Sequence, residues 1–242
     1  MASYRKSIKR ETREKKATAL SSKSVQCYIM DHPTGAQWRN MESRYPKWQA
    51  VYYYFRKWNS MNMLEKLLSS LVSKERINQG REASPSLVAV DSQSVKKVGL
   101  IHLDTGVDGG KKINGRKRHI AVDSLGLPIA ISVSPANMHD SEGGLDLLWQ
   151  LEKNTKRLSV ICGDMAYGGE FKNIVENIYK WEMDIAQKPE STKGFIPQKG
   201  RWQVERSFAW LNFFRRLSKD YEKTTDSAIA FIQLAFCNII LA

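Results

Sequence analysis

The stretch SLVAVDSQSVKK (86–97) is an apolar, β-branched run that carries a carboxylate, Asp91, and meets no Gly or Pro until Gly99. This pattern predicts a strand that continues past its acid to Val95. The tetrapeptide AVDS recurs in RHIAVDSLGLPI (118–129), where Ser, Gly and Pro follow Asp123 between two apolar runs. That is hairpin chemistry: the aspartate side chain bonds the turn backbone and Gly126 supplies a positive φ. The same four residues therefore predict two roles. Asp123 makes a turn, while Asp91 sits within or at the end of an apolar strand and must be paired or bind a metal, because burying it alone is costly.

Outward from this pair, the chain alternates. LPIAISVS (127–134) and RLSVICGD (157–164) read as further strands, with MDIAQK (183–188) as a short one. EGGLDLLWQLEK (142–153), GEFKNIVENIYKWE (169–182) and RWQVERSFAWLNFFRRL (201–217) read as helices. The order β-β-β-α-β-α-β-α predicts an α/β domain with a mixed sheet covered by helices. On the N-terminal side, NQGREASPS (78–86) is a boundary without periodicity. Before it, Trp48, Val51, Tyr52 and Phe55, then Met61, Leu64, Leu67, Leu68 and Leu71, predict a helical pair over 47–73. The expected division is a basic arm and helical region at 1–80 and an α/β domain at 84–242. The helical pair reads equally as a packing unit and as a DNA-reading helix-turn-helix.

The 242 residues, 42% of them hydrophobic, can bury a proper core. The formal charge of +13 favours a polyanionic partner, and it is clustered. Residues 1–24 hold eight Lys or Arg against two Glu, and KKINGRKRH (111–119) holds five without an acid. Basic residues interleave with Trp and Phe in 194–223, a texture that suits phosphates and bases. Cys27, Cys162 and Cys237 lie far apart, which argues against a disulfide framework or a zinc module and fits a reducing compartment. The first residues carry no apolar signal core, and AIAFIQLAFCNIILA (228–242) is too short to span a bilayer. A cytoplasmic protein with no membrane association is expected.

Two further acids share the situation of Asp91. Asp164 closes the apolar run of RLSVICGD, at the carboxyl end of a strand, where ligand sites in such sheets gather. Glu205 lies on a largely apolar helix, flanked by rings, with Arg201 one turn before it. Three carboxylates contributed by two strands and a helix can hold two divalent ions for in-line displacement at phosphate. Oxygen-only ligation selects Mg2+, or Mn2+, over zinc.

From about residue 41 to 242 the chain resembles DDE transposases of bacterial insertion sequences, in the group with a ribonuclease H-like catalytic domain. VAVDSQSVK resembles the family's first-Asp segment, ICGDMAYGG its second, and RWQVERSFAWLNFFRRL its Glu helix. KRHIAVDSLGLPIAISVSPANMHDSEG resembles the hairpin between them, closing with the Asn-x-His-Asp stretch. The resemblance implies that Asp91, Asp164 and Glu205 form the metal-binding triad, that Asp123 is outside it, and that Asn137, His139 and Asp140 lie near the site as supporting residues. An alternative for those three is a loop that caps the helix at 142. Gln198, Asn212 and Met165 stand where relatives often carry Tyr, Lys and Lys.

The expected activity is binding of an element's terminal inverted repeats, followed by cleavage and strand transfer with two Mg2+. The expected partner is double-stranded DNA, held by a homodimer or larger assembly because two ends must meet. Lys111, Lys112, Arg116, Lys117, Arg118, Arg201, Arg206, Arg215 and Arg216 are the expected DNA-binding residues. The competing readings are a metal-dependent nuclease of the same fold and an inactive DNA-binding relic.

Overall fold

The computed structural model describes residues 35–186 and 202–242. The arm at 1–24, Cys27, Gln198, Arg201 and the end of the segment expected as a strand at 183–188 lie outside them. Among the described residues six strands form one sheet: β1 (Leu87–Lys96), β2 (Gly106–Asp108), β3 (Ile113–Val122), β4 (Pro128–Pro135), β5 (Val160–Gly163) and β6 (Glu182–Ile185). β1 pairs antiparallel with β3, and β3 antiparallel with both β4 and β2. β5 and β6 continue the sheet parallel to β1. A three-stranded meander extended by two parallel strands is the mixed sheet expected of a ribonuclease H-like fold.

Strand β1 occupies the centre, which is why 86–97 decides the topology. Its alternating residues serve two different cores. Ala89, with Ile120, Val122 and Cys162, belongs to one, and Val88 and Val90, with Ala121 and Ile161, to the other. We call the first the front face. It is covered by α1 (Trp48–Ser60), α2 (Met63–Asn78), α6 (Trp202–Leu211) and α7 (Thr225–Leu241). The back face is covered by α3 (Asp140–Gly143), α4 (Leu145–Asn154) and α5 (Glu170–Asn177).

The apolar run near the end of the sequence forms a buried helix. Thr224 caps α7 by accepting a hydrogen bond from the Ser227 amide at 3.2 Å. Phe231, Ile232, Leu234 and Phe236 are then buried between α2 and the sheet, at roughly 1.5–3 kcal/mol each. The helical pair of the N-terminal region shares this core through Val51, Phe55, Trp58, Leu64, Leu68 and Val72. Its two helices are therefore packing elements of the front face. Gly80, with φ of 69°, turns the chain out of α2 before β1.

Three boundaries differ from the expectation. The short strand β2 was missed because three residues at the edge of a sheet leave no periodicity. The helix expected over 169–182 stops at Asn177, so that the chain can enter β6. The helix expected over 201–217 runs only to Leu211, followed by a tight turn and a 3-10 turn at Arg215–Leu217. This break puts Phe214 and Leu217 in the core and leaves Phe213 outside. Neither Gly nor Pro marks it in the sequence.

Candidate active site

The two copies of AVDS part as their flanking residues require. Asp123 is buried at the β3–β4 turn, where it accepts hydrogen bonds from the amides of Leu125 and Leu127 at 2.9 and 2.8 Å. Gly126, with φ of 77°, completes the turn, and its amide donates to the Asp123 carbonyl at 2.9 Å. The second carboxylate oxygen pairs with the buried Arg76 of α2, a residue that no local pattern singles out. Asp123 is thus a structural anchor between the hairpin and the N-terminal helices.

Asp91 lies four residues past β1's first pairing with β5, on the front face, and is half-buried. Ala89 is in register with Cys162 in the parallel β1–β5 pair. Two residues further on, the same register brings Asp91 and Asp164 to the same end of the sheet and the same face. Asp91 accepts from the amide of Ser92 at 2.7 Å. Asp164 starts a 3-10 turn, Met165–Tyr167, and accepts from the amide of Ala166 at 2.9 Å. The two acids therefore lie just past the end of the parallel β1–β5 pairing, Asp91 in the middle of β1 and Asp164 directly after β5.

Glu205 projects from α6, the helix that covers this same face with Val204, Phe208 and Leu211, and is itself exposed. Arg206 and Ser207 fix the helix to the hairpin turn, donating to the carbonyls of Leu125 and Gly126 at 2.7 Å each. Among the described residues, no three His, Cys, Asp or Glu side chains stand close enough together to hold a metal ion. The register directs Asp91 and Asp164 to the same face of the sheet, and Glu205 lies on the helix that covers that face. The all-oxygen donor set fits a hard divalent ion such as Mg2+ in chemistry.

Directly behind Asp91, the sheet's other face carries a polar network. Ser92 donates to Asp140 at 2.8 Å, and Lys117 bridges Asp140 and the Met138 carbonyl, both at 2.8 Å. Burial pushes the Asp140 carboxyl up, but the bonds from Lys117 and Ser92 outweigh it and leave the group below its ordinary range. His119 is fully buried against Ser134 at 2.8 Å, and desolvation lowers it to about 4. Gly143 of α3 is required above it, since a Cβ there would lie 2.4 Å from His119 Nε2. His139 caps α3 by accepting from the Ser141 amide, and Asn137 packs on Gly106. The Asn137–Asp140 stretch therefore caps a helix and braces β1 from behind. Asp140, bonded to Ser92, lies on the face opposite to Asp91.

A model of the Transposase DDE domain family matches residues 82–240, from just before β1 to the last turn of α7. The chain belongs to that family. Over 132 residues it is 32% identical to a Burkholderia cepacia protein assigned as a transposase for insertion sequence element IS402, covering 52% of this chain and 62% of that one. Over 132 residues it is 29% identical to a Brucella ovis protein assigned likewise to element IS6501, covering 52% of this chain and 97% of the relative. The match thus spans less than two thirds of the Burkholderia protein.

In this DDE-family chain the expected phosphate contacts divide sharply. Arg116 is 1% exposed, and its five N–H groups are spent on the carbonyls of Leu103, Asp104, Glu222 and Lys223 and on the Asp220 carboxylate, at 2.7–3.1 Å. Nothing remains for a phosphate. Arg118 is buried on the Leu217 carbonyl, and desolvation lowers it to about 10; Lys117 is committed to Asp140. Arg216 is paired with Glu222 at 2.7 Å and lies over Phe231 at 4.2 Å. These four expectations are corrected: both faces of β3 are covered, and carbonyls and carboxylates from distant segments draw the four charges inward. Arg206 is held between Trp202 and Trp210, 4.3 and 4.8 Å from the ring centres. Lys111, Lys112 and Arg215 remain on the surface.

Proposed function

We propose that this protein is the transposase of an insertion sequence, binding the ends of its element and catalysing metal-dependent DNA cleavage and strand transfer. The observation that carries this reading is the parallel register of β1 and β5, Ala89 opposite Cys162, which directs Asp91 and Asp164 two residues further on to one face of the sheet, the face covered by the helix that bears Glu205. Asp91, Asp164 and Glu205 would hold two Mg2+, or Mn2+, and those ions would supply Lewis-acid stabilisation of the charge that develops around phosphorus. The chain's own contribution is positional. β1 and β5 fix two carboxylates in register, and Ser92, Asp140 and Lys117 keep β1 from shifting behind them. Exposed Lys111, Lys112 and Arg215 would neutralise backbone phosphates, and Arg201 and Arg206 belong to the same proposal. Two DNA ends require two active sites, so the working form would be a homodimer or larger, in the cytoplasm and on the nucleoid. Among the described residues no helix is long and apolar enough to cross a membrane.

The test combines purified protein, labelled element-end DNA and a target plasmid, with Mg2+ or EDTA. Joined products that need Mg2+ support the proposal. Cleavage without joining would make the protein a nuclease, and a mobility shift without products would make it an inactive DNA-binding relic.

A further inference from the structure

We infer that the loop between β1 and β2 is a DNA-deforming wedge, whose exposed Leu100 and Leu103 enter the minor groove of a duplex held by surrounding lysines. The inference rests on the proposed DNA-binding function and adds a contact of a different kind.

Leu100 is 90% exposed and Leu103 60%, yet the backbone of this loop is tied down by hydrogen bonds. The Arg116 guanidinium binds the carbonyls of Leu103 and Asp104 on one side and Asp220, Glu222 and Lys223 on the other. The Val98 amide donates to the Asp220 carbonyl at 3.0 Å, the Asp220 amide to the Lys96 carbonyl at 2.9 Å, and Lys97 Nζ to the Ile101 carbonyl at 2.6 Å. Ile101 is buried between the two leucines and pins the loop from below. A buried arginine with all its donors on one knot fixes the backbone, so the leucines are held out rather than left out. Tyr221, 45% exposed, stands on the second segment of the same knot.

Charge selects the occupant. In segments 96–112 and 215–223, Lys96, Lys111, Lys112, Arg215, Lys219 and Lys223 are exposed cations. The acids there are mostly consumed internally: Asp108 by Ser94 and two amides, Asp220 by Arg116, Glu222 by Arg216. Asp104 is left as an exposed carboxylate. A second copy docking through this patch about a two-fold axis would set lysines against lysines, which is unfavourable. A duplex neutralises them and offers base steps between which apolar side chains wedge, kinking the helix by roughly 20–90°. Five residues of strand separate Asp91 from Lys96, about 17 Å at roughly 3.3 Å per residue. The wedge therefore reaches base steps within about one helical turn of a phosphate held at Asp91.

The experiment uses the full chain and a short element-end duplex, labelled at both ends for energy transfer and carrying 2-aminopurine at successive steps within one turn of the cleavage position. Wild type is expected to shorten the end-to-end distance and to brighten 2-aminopurine at one step. Leu100→Ala/Leu103→Ala is expected to abolish both signals, to keep the thermal melting point, and to weaken binding about 10-fold with an unchanged salt slope. Lys219→Ala/Lys223→Ala is expected to lower the salt slope by about 2 while leaving the kink in place. Bending and fluorescence that persist in the leucine variant would overturn the wedge and leave the transposase reading intact. A leucine variant that changes sedimentation without altering bound DNA would also overturn it, as a protein interface. Absence of any DNA binding by wild type would overturn both.

Discussion

Asp91 and Asp123 are the third residues of the same tetrapeptide, one within β1 and one just past the end of its antiparallel neighbour β3, and the sheet treats them in opposite ways. Asp123 is sealed at a turn with two amides and an arginine on its carboxylate, whereas Asp91 stays half-buried two residues past the last pair of the parallel β1–β5 ladder, on the face to which the register also directs Asp164. The lesson is that an acid's role is set by which end of which pairing it occupies. A turn supplies amides that consume the carboxylate, while the end of a parallel pair directs two acids to one face of the sheet.

The contrast can be broken first through activity. Asp91→Asn and Asp164→Asn are each expected to lower Mg2+-dependent cleavage by at least about 10³-fold while leaving the melting point nearly unchanged, as measured by gel assay and calorimetry. Through stability, the order reverses. Asp123→Ala leaves Arg76 buried and unpaired, and is expected to destabilise the fold by about 3–5 kcal/mol in denaturant titration. Cleavage per folded molecule should persist.

A pH experiment sharpens the comparison on the sheet's other face. Because burial lowers His119 to about 4, the unfolded chain takes up a proton at this site before the folded one does. Stability from this group is complete above about pH 6.5 and falls as pH drops from there to 4, by up to about 3 kcal/mol. The melting point of His119→Gln is expected to vary less across that window. The smallest effect is at the hairpin: Gly126→Ala forces a side chain to φ of 77° and is expected to cost about 1 kcal/mol.

Much of this was legible because the signals are local. The β-branched runs, the Ser-Gly-Pro after Asp123 and the apolar run at 228–242 each carry their own reading, and the family resemblance joined the acids. What stayed hidden depends on distant partners. Arg76 and Asp123 are 47 residues apart, and Arg116 and Asp220 are 104 apart. A basic strand therefore read as a phosphate surface when its charges are neutralised from within. His119 gave no signal either, since a lone histidine in a strand shows its burial only once α3 is packed above it.

The central claim is that the metal belongs to Asp91 and Asp164 rather than to Asp123. Fe2+ substituted for Mg2+ in the presence of peroxide and ascorbate cuts the backbone next to the ion, and mass spectrometry of the fragments locates the cuts. The account expects cleavage around residues 91 and 164, lost in Asp91→Asn and retained in Asp123→Asn. Cuts centred on residues 121–127 that survive Asp91→Asn would contradict it.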